Sequence, residues 1–329
     1  MPVVVALLTL ALWSSPIQAA TLTVYTYDSF TAEWGPGPRL EQMFEARCGC
    51  TLDFVALEDA AAILSRIRFE GEATKADVAL GLDTGLTAGA RQTGLFAPHG
   101  LDVSGLAVPG GFDDPVFVPY DYGYFAFVFD STRGFAPPAS MRELVDGAPD
   151  LTLLIEDPRT SSPGLGLLLW IRKLYGDGAP EAWARLAPRI VTVTQGWSEA
   201  YGLFQKGEAD MVLSYTTSPA YHITAENETK YKAAAFAEGH YRQIEVAARL
   251  AGSANASLAG EFLAFLVSRE AQGVIPATQW MYPVRDVGDA LPASFGELIE
   301  VRTPLSFTPE EVRDGRAAWV EEWLAAMSR

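Results

Sequence analysis

The chain has 329 residues, with 24 Lys and Arg against 41 Asp and Glu, and a formal net charge of −17. That balance excludes a general binder of nucleic acid or anionic membrane, because phosphate affinity needs a basic footprint. At ~150 residues per domain the length points to two domains, and 49% hydrophobic with 11% aromatic residues suffices for a true core rather than a disordered or disulfide-stapled chain.

Met1 to Leu12 is almost wholly apolar, Trp13-Ser14-Ser15-Pro16 breaks the run, and Ile17-Gln18-Ala19-Ala20 offers small residues for cleavage. The run is shorter than the ~20 residues of a membrane helix, so a signal peptide over residues 1–20, cut near Ala19 or Ala20, is expected although no Lys or Arg precedes it. The mature protein is then exported, in a Gram-negative cell to the periplasm. Cys48-Gly49-Cys50 either closes on itself, as an oxidising compartment favours, or holds two buried thiols; both readings are structural.

Leu22 to Tyr27 alternates β-branched and aromatic residues and predicts a strand. A helix over Arg39 to Arg47, a strand over Thr51 to Ala56, a helix over Ala60 to Phe69 and a strand over Asp77 to Gly81 follow. This β-α-β-α-β order implies an open parallel sheet, with ligands beyond the carboxyl ends of its strands. Phe117 to Phe129 is a long aromatic run marked by Pro119 and Gly123, too extended for a helix and long enough to cross between domains. The alternation then restarts: strand Leu151 to Ile155, helix Gly164 to Leu174, strand Ile190 to Val193, helix Ser198 to Lys206, strand Met211 to Ser214. A second extended crossing over Tyr241 to Leu250 leads to a helix over Ser257 to Val267, and Thr308-Pro309-Glu310-Glu311 opens a C-terminal helix. The expected architecture is therefore α/β and two-lobed, with a hinge and an interlobe cleft. Lobe one takes residues 21–120 plus about 246–290, lobe two 125–241 plus about 291–329, and the hinge strands are about 120–124 and 244–249.

No dinucleotide fingerprint, Walker loop, nucleophile elbow or His-Glu-x-x-His helix is present, and Gly85 to Gly89 supplies none. The three histidines (His99, His222, His240) are scattered, and with two cysteines they make no four-ligand zinc site, so no metal or cofactor is expected. Aromatic and hydroxyl residues instead gather at strand ends, where loop chemistry lies: Tyr27 in lobe one, Trp197, Tyr215 and Tyr221 in lobe two, and Trp280 after the return crossing. In Asp157-Pro158-Arg159-Thr160-Ser161-Ser162-Pro163-Gly164, Ser162 reads as an N-cap and Pro163 as the first helical residue. The amides beyond them make a pocket for an anion or a hydroxyl.

Six segments carry a resemblance: Val24 to Phe30, Glu33 to Pro38, Val55 to Asp59, Asp157 to Ser161, Gly196 to Tyr201 and Ser214 to Tyr221. Together they resemble the periplasmic thiamine-binding proteins of thiamine ABC transporters, over essentially the whole mature chain. The resemblance implies a type II periplasmic-binding-protein fold, capture of thiamine and its mono- and diphosphate esters, and delivery to a membrane permease. A monomer is the simplest state for lobe closure and handover. Residue by residue, Asp59 matches the family's Asp-Gly pair with Ala60 in place of the glycine, and Ser161 and Ser162 stand where the family has Ser-Thr. Trp197 and the run Tyr215, Thr216, Thr217, Ser218 match without change, and Tyr27, Tyr221 and Trp280 correspond to the aromatic walls.

The residue types suit that ligand. Aromatic faces attract a thiazolium, each by ~0.5–2 kcal/mol, Asp59 can accept from the aminopyrimidine or offset charge, and the hydroxyethyl tail would point at Ser161. Three rivals remain. A thiaminase-like enzyme on the same scaffold needs a thiolate in the cleft, whereas Cys48 and Cys50 lie between a helix and the start of a strand. A ferric-ion binder wants adjacent tyrosines with His or carboxylate, whereas Tyr215 and Tyr221 sit among Thr and Ser. The third is a binder of another cationic or sugar-like solute.

Overall fold

A computed structural model describes residues 19–147 and 150–328. The expected signal segment, residues 1–18, lies outside the described residues. Lobe one opens with β1 (Thr21–Tyr27), α1 (Asp28–Thr31), α2 (Gly37–Cys48), β2 (Thr51–Leu57), α3 (Ala60–Glu70), β3 (Val78–Asp83) and α4 (Thr84–Arg91). The chain crosses on β4 (Val118–Asp130) and continues through α5 (Met141–Asp146), β5 (Leu153–Glu156), α6 (Ser162–Tyr175), α7 (Ala179–Leu186), β6 (Ile190–Thr194), α8 (Trp197–Gln205), β7 (Met211–Tyr215), α9 (Ser218–Tyr221) and β8 (Tyr231–Ala233). It returns on β9 (His240–Arg249) to α10 (Ala256–Leu266), α11 (Arg269–Gln272), α12 (Ile275–Thr278) and β10 (Tyr282–Pro283), and ends in β11 (Pro304–Leu305) and α13 (Pro309–Met327).

The expected strands all form, but the sheets are not purely parallel. β2, β1 and β3 pair in parallel, as do β6, β5 and β7, and between these triplets stand the two crossings, giving the order β2-β1-β3-β9-β4-β7-β5-β6. β4 and β9 pair antiparallel with each other, β9 continues onto β3, and the far half of β4 continues onto β7. Each crossing thus satisfies its backbone groups in both lobes. β4 is buried over eleven of its thirteen residues, which is why it reads as a continuous apolar run rather than an alternating one.

The core runs through both lobes. Phe44 meets Phe262 at 5.1 Å between ring centroids in lobe one, and Trp170 meets Phe236 at 5.3 Å in lobe two. Full burial of one such ring contributes ~1.5–3 kcal/mol. α6 lies directly on β4 because Gly166 has no side chain: a Cβ there would stand 1.9 Å from the Phe125 ring.

Seven of these helices were not expected: the four-residue α1, α9, α11 and α12, and the longer α4, α5 and α7. α4 runs through Gly85 and Gly89, poor helix formers, because the Asp83 carboxylate caps it at Gly85 N–H, 2.6 Å away. α5 starts at Ser140, whose hydroxyl accepts from Glu143 N–H. α7 buries Ala179, Ala182, Trp183 and Leu186, a stripe of helical spacing. α13 carries the expected capping box, Thr308 with Glu311, and packs on α4 as well as on α6 and α7. Cys48 and Cys50 are joined, with Cα atoms 5.2 Å apart and Gly49 turning at φ +64°.

Candidate functional site

A cavity of about 390 Å³ opens between the lobes at the carboxyl ends of the parallel strands. Lobe one supplies Tyr27 and Asp59 from the ends of β1 and β2; lobe two supplies Trp197, Tyr215, Thr217, Ser218 and Tyr221; Trp280 closes one side. The other four expected residues, Ala60, Ser161, Ser162 and Thr216, are buried beside the cavity rather than in its wall.

Each aromatic face is held from behind. Trp197 donates through Nε1 to Ser214 Oγ at 2.8 Å, and Ser214 Oγ is 2.7 Å from Ser218 Oγ. Tyr201 stacks on Trp197 with centroids 5.0 Å apart, and its hydroxyl meets Nε2 of the buried His222 at 2.8 Å. Burial lowers the His222 pKa against the pull of Glu226, which sits 2.6 Å from Nδ1 in a π-helical turn. Tyr221 meets Trp280 edge to face at 5.6 Å. Trp280 itself has φ +59°, a left-handed conformation costing a bulky residue ~1–2 kcal/mol.

The carboxyl groups differ in their surroundings. Asp59 Oδ1 accepts from Ala60 N–H at 2.7 Å and from Ser162 N–H at 3.3 Å, so a lobe-one carboxylate occupies the N-terminus of α6. Burial raises its pKa to about 6, against the pull of those amides. Ser162 Oγ donates to Asp83. The helix cap is accordingly Ser161, one residue before the expected Ser162, whose hydroxyl is drawn across to the other lobe. At the mouth, Ser198 donates to Asp28 at 3.0 Å, and Trp34 meets Trp197 at 6.4 Å. The lobes are therefore in contact.

Sequence reasoning missed Trp34, Glu58, Tyr201, Glu245 and Gln279 in the lining. Trp34 lies in Glu33 to Pro38, one of the segments that carried the resemblance, so its signal was present; Glu245 sits inside β9 and gave none. Among the described residues no Lys or Arg lines the cavity, whereas Asp28, Glu58, Asp59 and Glu245 do. Among the described residues no three metal-ligating side chains converge, and no helix is long and apolar enough to cross a membrane. Neither cysteine lines the cavity.

Residues 21–273 match the family of bacterial extracellular solute-binding proteins. The thiamine-binding periplasmic protein of Escherichia coli (strain K12) is 56% identical over 97% of this chain and 98% of its own length. That of Salmonella typhimurium is 57% identical over 94% of each. A solved structure of a periplasmic thiamin binding protein superposes with a TM-score of 0.93 at 56% identity, covering 94% of this chain and 97% of that one. With two lobes, two paired crossings and a cleft of aromatic and acidic walls, this chain belongs to the bacterial extracellular solute-binding proteins, in the group of the thiamine-binding periplasmic proteins.

Proposed function

We infer that the protein captures thiamine in the periplasm and hands it to the permease of an ABC transporter, acting as a binding protein and not as an enzyme. One observation carries this reading: the cavity joins seven aromatic residues to four acidic side chains and, among the described residues, has no basic one in its lining. A flat organic cation gains both from ring faces and from fixed negative charge, whereas a sugar-like solute gains from ring area alone and an anionic group is repelled by the carboxylates. The relatives' names support thiamine as that cation.

The thiazolium and aminopyrimidine lie among Trp197, Tyr215, Tyr221 and Trp280, with Tyr27 below, and the hydroxyethyl tail is directed at Ser161 and Ser162. The mono- and diphosphate esters are ligands too, their phosphate drawn to the start of α6 near Ala60. Closure turns on the crossings near Tyr120–Tyr124 and Ile244–Arg249. The mature protein begins after Ala19 or Ala20 and works as a monomer, with no cofactor. Calorimetric titration of the purified mature protein with thiamine tests the reading. Saturable one-to-one binding with quenching of tryptophan fluorescence is expected. No heat and no quenching with thiamine, or steady consumption of thiamine in the presence of a thiol or amine nucleophile, overturns it.

A further inference from the structure

Of the four acidic residues in the cavity lining, Glu245 is set apart by its burial and its partners. Asp28 and Glu58 are exposed at the mouth, where water screens them. Asp59 is tied to the amides of Ala60 and Ser162. Glu245 is 5% exposed and receives only donors: Tyr27 OH at 2.7 Å and Tyr120 OH on Oε2, and Gln243 Nε2 at 2.7 Å on Oε1. Those donors are themselves held. Gln279 Nε2 donates to the Tyr27 hydroxyl, and the Tyr215 hydroxyl donates to Gln243 Oε1 at 2.9 Å. Three donors converging on one carboxyl group favour its ionised form.

Directly across the β4–β9 ladder from Glu245 stands Asp121. It is fully buried, and neither of its oxygens has a hydrogen-bond partner among the described residues. Burial first and the facing Glu245 second raise its pKa well above the usual carboxylate range. Of two facing carboxyls, the one with the donors keeps the charge and the one without keeps the proton.

We propose that Glu245 is the specificity-determining charge of this cleft, a carboxylate held by Tyr27, Tyr120 and Gln243 that admits cationic ligands and disfavours neutral isosteres of the same shape, while Asp121 behind it stays protonated. The proposal rests on the reading of the cavity as a thiamine site. Charge and stacking are thereby assigned to different residues: the rings supply area, which a neutral ligand also enjoys, and Glu245 supplies the discrimination.

Glu245→Gln in the mature protein is the test, titrated with thiamine and with a neutral isostere whose thiazolium is replaced by thiophene. Thiamine affinity is expected to fall about 100-fold, the size of a unit-charge attraction ~6 Å away at an effective dielectric near 20, while the isostere changes by less than about threefold because it carries no charge to attract. The amide keeps an acceptor for the tyrosines, and Gln243 can turn to meet it. Equal losses for both ligands make Glu245 a structural residue, and an unchanged thiamine affinity places the discrimination elsewhere; either overturns the proposal. Should the variant fail to fold, the wild-type pH profile decides. The groups facing Glu245 are Tyr27 on β1, Tyr120 and Asp121 on β4, and Gln243 on β9, with the carboxyls of Asp59 and Asp83 acting from farther away. Burial raises the Glu245 pKa to about 7, above the value of about 6 for Asp59, so thiamine affinity is expected to fall with a midpoint near pH 7 as Glu245 takes up a proton, while isostere affinity stays flat; a midpoint near pH 6 assigns the charge to Asp59 and overturns the proposal. Parallel profiles overturn the proposal. The wild-type thiamine isotherm separately tests the underlying reading: if it shows no binding, both fall, whereas binding with an unselective variant removes only the role of Glu245.

Discussion

The carboxylate of Asp59, at the end of β2, accepts the backbone N–H of Ser162 at 3.3 Å, so the N-terminus of a lobe-two helix is capped by a residue of lobe one. The same side chain caps α3 through Ala60 N–H. One carboxyl group therefore joins two helix N-termini across the cleft, each carrying roughly half a positive charge.

Burial of this carboxyl outweighs the pull of the two helix ends, so the free protein is expected to be more stable on mild acidification. Burial raises the Asp59 pKa to about 6 from its ordinary 3.8, and the buried Glu156 is raised well above its usual range for the same reason. A carboxyl whose folded pKa exceeds its unfolded one contributes stability that is full below the unfolded value and lost as pH rises through the folded one. The melting temperature is expected to rise as pH is lowered from 8 toward 5, with Asp59 accounting for about 1.5 kcal/mol over that window. Calorimetric melts of wild type and Asp59→Asn check this: the variant should show a flatter profile, and identical profiles would assign the effect to other carboxyls.

Asp59 also sets the balance between free thiamine and its esters. A phosphate at the start of α6 shares that helix end with the carboxylate, and like charges this close oppose each other. Asp59→Asn is expected to strengthen the monophosphate ester relative to thiamine by about tenfold, a modest part of the Coulomb term at contact distance. Competition titrations at pH 7.5 read the ratio, and an unchanged ratio would put the phosphate elsewhere.

Trp280 holds its ring in the cleft at φ +59°. Trp280→Leu keeps apolar volume and removes the π face, so thiamine affinity should drop about tenfold, or ~1–2 kcal/mol. Trp280→Gly removes the backbone strain together with the ring, and should bind still more weakly while losing little stability. A Trp280→Leu protein that binds like the parent would show that the ring is packing only.

Gly81 sits at the irregularity between Leu80 and Leu82 in β3, with φ +97°. A Cβ at that position would stand 2.2 Å from the Tyr27 ring. Gly81→Ala therefore forces Tyr27 off Glu245, and both stability and thiamine affinity should fall, the strain alone costing ~1–2 kcal/mol. Thermal melts and titration read the two losses, and an unaltered affinity would mean that Tyr27 does not organise the floor of the site.

Local chemistry in the sequence was sufficient for most elements. Leu22 to Tyr27 and Thr51 to Ala56 became β1 and β2, the aromatic run became the crossing β4, and Thr308 to Glu311 became the capping box of α13. Apolar periodicity and caps act within a few residues, and so they are visible along the chain. The aromatic faces were legible too, because a Trp or Tyr beside Gly, Ser and Pro at a strand end is unusual wherever it occurs. Tertiary structure alone decided the floor of the cleft. Glu245 meets Tyr27 across 218 positions and faces Asp121 only through the β4–β9 register. Tertiary structure likewise moved the α6 cap from Ser162 to Ser161, since Asp83, 79 residues away, draws the Ser162 hydroxyl across. A carboxyl group's charge, partners and solvent access depend on what the fold brings opposite it, and no local pattern of residues carries that information.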